Sequence, residues 1–439
     1  MDFPVNEIYG KTFQCSCGKT HRIDPEQVIY SEDAIEMLDE ILCQYSKGRR
    51  VAILMDKRTC KAAGSAAANI LRKKGWRVAE HVIPDPKENV SPECDDLTYH
   101  KLMKEISEPD ILLAVGTGVI NDLGKWIAFD LDKPYVSLAT AASMNGYTSA
   151  NAASIVDGIK TLIRCRPPRV VVATPSLLRD APYKMTTAGL ADALAKSVSS
   201  TDWKMNHILF GDFFCEESVS LIADIEPLYR EHPEDIKSGN PGAIESLFSG
   251  LLLTGVAMTM AESSAPASGG EHLISHTLDA MSSLDSVPHD LHGRQVGLGT
   301  IICSEIYRRL MALDRPVFSP AISGIDAPFW GKLSDGVEKQ YSEKVPRIHQ
   351  AVEILSDRNA WDNLRSQLRS YLRSPEEIRD CLKRAGGAIR AEDIGCSKER
   401  LLAALLHAHE FRARFTCLDV ARMAGVLPNA AQEIVERWG

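Results

Sequence analysis

Short apolar runs alternate with amphipathic helical stretches through the N-terminal part of the chain, and that alternation permits few folds. R-R-V-A-I-L-M-D reads as a buried strand ending in Asp56, and T-C-K-A-A-G-S-A-A-A-N-I-L-R-K-K as a helix that stops at Gly75. W-R-V-A-E-H-V-I is a second strand and D-L-T-Y-H-K-L-M-K-E-I a second helix. D-I-L-L-A-V is a third strand that runs straight into G-T-G-V-I-N-D-L-G-K-W-I-A. P-Y-V-S-L and R-V-V-V-A-T follow as further strands. Strands separated by helices in this way form a parallel sheet covered on both faces.

From Thr186 onward the strand signals stop and helical periodicity runs to the C-terminus, as in E-S-L-F-S-G-L-L-L-T-G-V-A-M-T-M and K-E-R-L-L-A-A-L-L-H-A-H-E. The expected architecture is therefore an α/β, Rossmann-like domain over residues 1–181, followed by an all-helical domain over 182–439. Residues 315–331, with several prolines, read as a long loop. The chain shows no internal repeats.

Composition removes several function classes. The 439 residues carry a net charge of -9 with 25% charged and 44% hydrophobic residues, against the dense Lys and Arg that nucleic-acid or membrane-surface binding needs. No apolar run approaches a membrane span, and M-D-F-P-V-N-E has neither a basic n-region nor an apolar h-region. The 11 cysteines are odd in number and scattered, as expected for reduced thiols in a cytoplasm. Near the start, C-S-C-G-K-T-H holds Cys15, Cys17 and His21. Two cysteines one residue apart pinch poorly around one zinc and no fourth ligand follows, so the segment reads as a small β-hairpin turning at Gly18.

Two groups of residues carry chemistry. Gly116 and Gly118, at a strand–helix junction, form a candidate phosphate cradle: the backbone can approach a pyrophosphate and the helix start offers unpaired N–H groups. Its place at the carboxyl end of a central strand is where open sheets bind ligands. Asp56, also at a strand end, can hold ribose hydroxyls and repel a 2′-phosphate, or cap the next helix. The hydroxyl-rich S-L-A-T-A-A-S-M-N-G-Y-T-S-A-N-A-A-S follows the fourth strand and reads as a loop over a ligand. The second group is Asp192 on a helix pattern, His272 and His276 four apart on one helix face, and His289 and His292 before a glycine. A carboxylate and imidazoles from three helix-like segments suit a divalent metal, and three protein ligands leave a coordination position open.

Taken together, C-x-C-G-K-x-H, I-N-D-L-x-K, T-A-A-S-M-x-G-x-T-S, A-P-Y-K-M-T-x-A-G, S-G-x-E-H-x-x-S-H and H-G-x-Q-V-G-x-G-T resemble the sn-glycerol-1-phosphate dehydrogenases. These belong to the iron-type alcohol dehydrogenase and dehydroquinate synthase superfamily, and the likeness is nearest to the bacterial AraM-like group. The resemblance covers nearly the whole chain. It implies one divalent metal (zinc, nickel or iron) on Asp192, His272 and His292, with His276 and Asn145 on the substrate. It implies NAD(H) or NADP(H) on Asp56, on Gly116, Thr117, Gly118, Val119 and Ile120, on Thr140, Ala141, Ala142 and Ser143, and on Ser149. It also implies a homodimer, a small phosphorylated substrate, and no nucleic-acid or membrane partner. The expected reaction interconverts dihydroxyacetone phosphate, or a close polyol-phosphate relative, and sn-glycerol 1-phosphate. The rivals are a dehydroquinate-synthase-like lyase or cyclase that regenerates its NAD, and a non-catalytic relative. Two departures stand out. The family's loop aspartate is Asn145 here, and its G-S-G-T stands as G-T-G-V. Lys125, Lys160 and Arg164 are candidate partners for a substrate phosphate.

Overall fold

The computed structural model describes residues 8–88, 90–321 and 324–439. The leader reading of residues 1–7, and two residues of the proline-bearing loop, lie outside that range. The chain forms two compact units, one made of Met1–Gly189 and Ser220–Ser264, the other of Leu190–Val219 and Ala265–Gly439.

The first unit contains β1 (Thr12–Gln14), β2 (Thr20–Arg22), β3 (Gln27–Tyr30), β4 (Arg50–Asp56), β5 (Arg77–Ile83), β6 (Ile111–Gly116), β7 (Tyr135–Ala139), β8 (Asn151–Val156), β9 (Ile159–Arg164) and β10 (Val170–Ala173). Six of them make a parallel sheet in the order β3-β10-β7-β6-β4-β5. Its central strands are apolar on both sides, as a doubly covered sheet requires. Val51, Ile53 and Met55 of β4 join one core with Leu113, Val136 and Val172. The alternate residues Ala52 and Leu54 join the other with Leu112 and Ala114. From β4 the chain first moves outward to β5 and then returns to β6 on the other side. The carboxyl ends of β4 and β6 therefore flank the topological switch point, where open sheets take ligands.

Two elements of this unit escaped the sequence reading. Edge strand β3 is only four residues long, too short for a periodicity signal. The antiparallel hairpin β8–β9 lies within and beyond the stretch read as a hydroxyl-rich loop. Its signal was present: Asp157 and Gly158 form the turn with φ of 51° and 79°, the D-G pair that two-residue hairpins favour.

Six helices matter below: α1 (Gly118–Asp130), α2 (Tyr183–Leu194), α3 (Lys196–Phe210), α4 (Pro241–Ala261), α5 (Gly270–Asp285) and α6 (His292–Ala312). The compact units depart from the expected break at 181–182, because Ser220–Ser264 belongs with the sheet. The reason lies in α4, which is apolar all round and so must be enclosed. Thr148 Oγ1 donates to Leu252 O at 2.6 Å, and Thr259 Oγ1 donates to Thr148 O at 3.0 Å, pinning the loop after β7 to this helix. By length and composition α4 could cross a membrane, against the sequence expectation that no apolar run approaches a span, but 83% of its most apolar stretch is buried, as in the core helix of a folded unit.

The second unit is helical throughout its described residues. Its helices α5 and α6 approach closely because α6 carries glycine at the crossing. A Cβ on Gly299 would stand 2.5 Å from Glu271 O, and one on Gly297 would stand 2.7 Å from Ala191 Cβ. The residues met by these two glycines adjoin His272 and Asp192 in sequence.

Candidate functional site

The second unit gathers Asp192 near the end of α2, His272 in the first turn of α5 and His292 at the start of α6. One ligand atom from each lies within 4.8 Å of the others. His272 Nε2 faces Asp192 Oδ1 at 3.6 Å, and the His272 and His292 ring centres are 5.1 Å apart. Asp192 and His272 are buried and His292 is half-buried. A carboxylate and two imidazoles at these separations suit a divalent ion of the zinc, nickel or iron type. His276 stacks on His292, with 5.4 Å between centres and 13° between planes. His289 is exposed on the connection before α6, with Nδ1 2.8 Å from Asp290 O; it stands outside the ligand cluster.

Both ligand rings are held on their far side. His272 Nδ1 lies 2.7 Å from Glu271 Oε1, and His292 Nδ1 lies 3.1 Å from Ser275 Oγ. Such partners fix the ring and its tautomer, leaving Nε2 to the metal. Glu271 Oε1 also accepts from Gly269 N at 2.7 Å. Asp202, on α3, accepts from Gly270 N at 2.7 Å, from Cys417 N at 2.8 Å and from Tyr307 Oη. Burial, with the nearby Glu271 carboxylate, pushes Asp202 up to about 7. Burial alone would push the His272 imidazolium down, but its Asp192 and Glu271 partners outweigh that and hold it up at about 9. A metal arriving at neutral pH therefore displaces a proton from His272. Sequence reading missed Glu271 and Ser275, although each neighbours a quoted histidine; a search for what holds the second ring nitrogen would have found them. Glu271→Gln is expected to weaken metal binding by about 10- to 100-fold, read by chelator competition. An unchanged affinity would mean that Glu271 only caps α5.

The first unit gathers the nucleotide candidates at its switch point. Gly116 ends β6, and Gly118, at φ 25°, opens α1. A Cβ on Gly116 would sit 2.6 Å from Ile120 Cβ, so the turn is as tight as its glycines allow. Thr117 Oγ1 and Ser143 Oγ are 2.6 Å apart, and Thr140 N donates to Gly116 O at 3.3 Å. Tyr147 Oη donates to Ala141 O at 2.8 Å. These bonds knit the glycine turn to the loop after β7. Thr117, Gly118, Val119 and Ser143 are half-buried at the turn, while Ile120, Ala141 and Ala142 are buried and offer only backbone groups.

Asp56 caps the helix after β4, its Oδ1 accepting from Arg58 N at 2.7 Å and from Thr59 N at 2.8 Å. Ser149 is buried, within 3.0 Å of Lys125 Nζ, and donates to Asn151 O at 2.9 Å. Its hydroxyl braces the loop rather than facing outward. Lys125 is equally internal, 1% exposed, 3.0 Å from Asp122 Oδ1 and donating to Gly146 O at 2.8 Å. That surrounds its charge with fixed partners and removes it as a phosphate contact. Lys160 and Arg164 lie on β9. Asn145 is half-buried on the loop, its backbone oxygen 2.7 Å from where a Cβ on Gly255 of α4 would stand.

A model of the iron-containing alcohol dehydrogenase family matches residues 29–182. Among the relatives of this chain, glycerol-1-phosphate dehydrogenase [NAD(P)+] of Bacillus subtilis (strain 168) is 27% identical over 95% of this chain and 96% of its own. The enzyme of the same name from Thermococcus sibiricus is 32% identical over 64% of this chain and 78% of its own. Among solved structures, glycerol dehydrogenase from Schizosaccharomyces pombe aligns with a TM-score of 0.60 at 14% identity, over 93% of this chain and 90% of that one. A 1,3-propanediol oxidoreductase aligns with a TM-score of 0.59 at 16% identity, over 95% and 100%. At these identities the structures establish the fold.

Proposed function

Because this chain belongs to the glycerol-1-phosphate dehydrogenase family, we infer that it is a metal-dependent, NAD(P)-linked oxidoreductase that interconverts dihydroxyacetone phosphate, or a close polyol-phosphate relative, and sn-glycerol 1-phosphate. The observation that carries the metal dependence is the buried set of one carboxylate and two imidazoles within 4.8 Å. When bound, the divalent ion supplies Lewis-acid polarisation of a carbonyl oxygen and the nicotinamide supplies the hydride.

The chain's own residues do the rest. Asp192, His272 and His292 hold the ion, with Glu271 and Ser275 fixing the two rings. His276, one helical turn after His272, hydrogen-bonds a substrate hydroxyl and relays its proton. The N–H groups at Thr117, Gly118 and Val119 take the pyrophosphate at the positive end of α1, with Gly116 and Ile120 lining the turn, Ile120 N donating to Thr117 O at 2.9 Å, and the loop with Thr140, Ala141, Ala142 and Ser143 closes over it. Ser149 serves this loop as a brace. The reading includes a cytoplasmic setting, supported by eleven cysteines none of which is in a disulfide, and a homodimer.

The deciding assay follows NADH absorbance on adding dihydroxyacetone phosphate, with zinc or nickel supplied. Loss of NADH that depends on both supports the reading. Tightly held NAD with no net NADH turnover would replace it with a lyase or cyclase on the same scaffold.

Two residues set specificity in this reading. The Asp56 carboxylate accepts ribose hydroxyls and repels a 2′-phosphate, so NADH is preferred over NADPH. Asp56→Ser keeps a competent helix cap while removing the charge, and is expected to narrow or reverse the preference in kcat/KM. A wild-type enzyme that prefers NADPH refutes the assignment. Asn145 presents an amide where relatives carry a carboxylate, so one acceptor becomes a donor and the charge is lost. A hydrogen bond to a charged group contributes roughly 1.5–3 kcal/mol, or about 10- to 150-fold in rate if made only in the transition state. Asn145→Asp is therefore expected to raise kcat/KM on dihydroxyacetone phosphate at least about tenfold. A slower Asp variant on a fast wild type would show that Asn145 already suits that substrate.

A further inference from the structure

The N-terminal hairpin carries donor atoms that the proposed reaction does not use. Strands β1 and β2 pair antiparallel, with Phe13 opposite His21. Directly paired residues share a face and alternate residues of a strand return to it, so Phe13, Cys15 and His21 fall on one side. The turn is closed by Cys15 N donating to Lys19 O at 2.9 Å and Gly18 N donating to Cys15 O at 3.0 Å. Gly18 sits at φ 86°, a conformation glycine takes without strain. This folding brings Cys15 Sγ, Cys17 Sγ and a ring nitrogen of His21 within 4.8 Å of one another. Cys17 Sγ is 3.1 Å from His21 Nε2. Cys15 and His21 are 6% and 4% exposed.

We propose that this hairpin binds zinc(II) through Cys15, Cys17 and His21, apart from the ion of the proposed reaction. The first half of the sequence objection, that cysteines one residue apart pinch poorly, fails because the turn at Gly18 folds Cys17 back toward His21; the second half, the want of a fourth ligand in the hairpin, is met in this proposal by a water molecule on the fourth tetrahedral position. Zinc–sulfur and zinc–nitrogen bonds of about 2.3 and 2.0–2.1 Å put tetrahedral ligand atoms about 3.5–3.8 Å apart, between the 3.1 Å that separates Cys17 Sγ from His21 Nε2 and the 4.8 Å that bounds the set. Two thiolates neutralise the ion, their thiol protons passing to solvent, and sulfur donors favour zinc over the harder divalent cations. The role is structural. Each strand of this two-stranded sheet has three residues, marginal for a hairpin in water, and binding free energy at such a clip is folding free energy.

The test is the metal content of the full-length chain grown with zinc and freed of loosely held ions. The wild type is expected to hold one ion more per chain than Cys15→Ser/Cys17→Ser. With cobalt(II) in place of zinc, wild type and His292→Ala should both show a thiolate-to-cobalt charge-transfer band that the double variant lacks. The Asp192 set has no sulfur, so the band reports the hairpin alone and its presence is independent of the dehydrogenase reading. Should the double variant fold poorly, Cys17→Ser and His21→Asn are each expected to weaken zinc retention tenfold or more in chelator competition. Equal metal content in wild type and double variant with no sulfur band, or unchanged retention in both single variants, overturns the proposal.

Discussion

Replacing His292 by alanine is expected to strip the catalytic ion from the chain and lower kcat/KM by about a thousandfold or more. The ion's stabilisation of developing charge is worth several kcal/mol, and 4 kcal/mol is about a thousandfold in rate. His292 is the cleanest ligand to remove, because it is half-buried and stands at the first residue of α6. His272→Ala should lose the ion as completely but cost more fold, since it leaves the buried Asp192 and Glu271 carboxylates without the imidazolium between them. His276→Ala separates the roles: it should keep the metal and lose turnover. Elemental analysis beside steady-state kinetics reads all three. Full metal content in both His272→Ala and His292→Ala would sink the ligand assignment.

Gly299→Val is expected to destabilise the second unit by about 1–3 kcal/mol, the usual cost of overpacking, and to reduce metal retention with it. A Cβ there meets Glu271 O at 2.5 Å and Glu271 C at 3.2 Å. These are backbone atoms, so relief requires α5 to move as a body and to carry His272 with it. Gly297→Ala meets chiefly side chains, the methyl of Ala191 at 2.7 Å and Leu382 Cδ1 at 3.3 Å, and should cost less. Thermal denaturation and metal content of the two variants check this. A Gly299→Val protein with wild-type melting and full metal would show that α5 and α6 have room to spare.

The sheet was legible because β4, β6, β7 and β10 are buried on both faces and so read as unbroken apolar runs. Edge strand β5, half-exposed along its length, was still read from its β-branched residues. The metal candidates could be gathered from sequence by chemistry and resemblance, but their mutual approach depends on the α5–α6 crossing, which no local signal encodes. The dual nature of Asp56 was visible as two alternatives; the structure supplies the cap without excluding a second use for the remaining oxygen. Lys125 illustrates the opposite case. Its sequence context suggested an available cation, whereas burial against Asp122, two loop oxygens and Asn151 O of β8 is a tertiary fact. The boundary at 181–182 followed the change of periodicity, but enclosure of α4 follows hydrophobicity and not chain order.

That interleaving constrains how the polypeptide can be made and cut. The chain passes between its two units at 189–190, 219–220 and 264–265, so neither unit is a continuous stretch. During synthesis the first unit cannot be completed until α4 has left the ribosome, because the loop after β7 needs α4 behind it, with Leu252 O as the acceptor for Thr148. The non-local closure makes folding slow and leaves apolar strands exposed meanwhile. A fragment ending after β10 would present the loop after β7 without its helical backing and should aggregate, while a fragment ending just beyond Ser264 has every segment of the first unit and is the shorter piece to express for nucleotide binding alone.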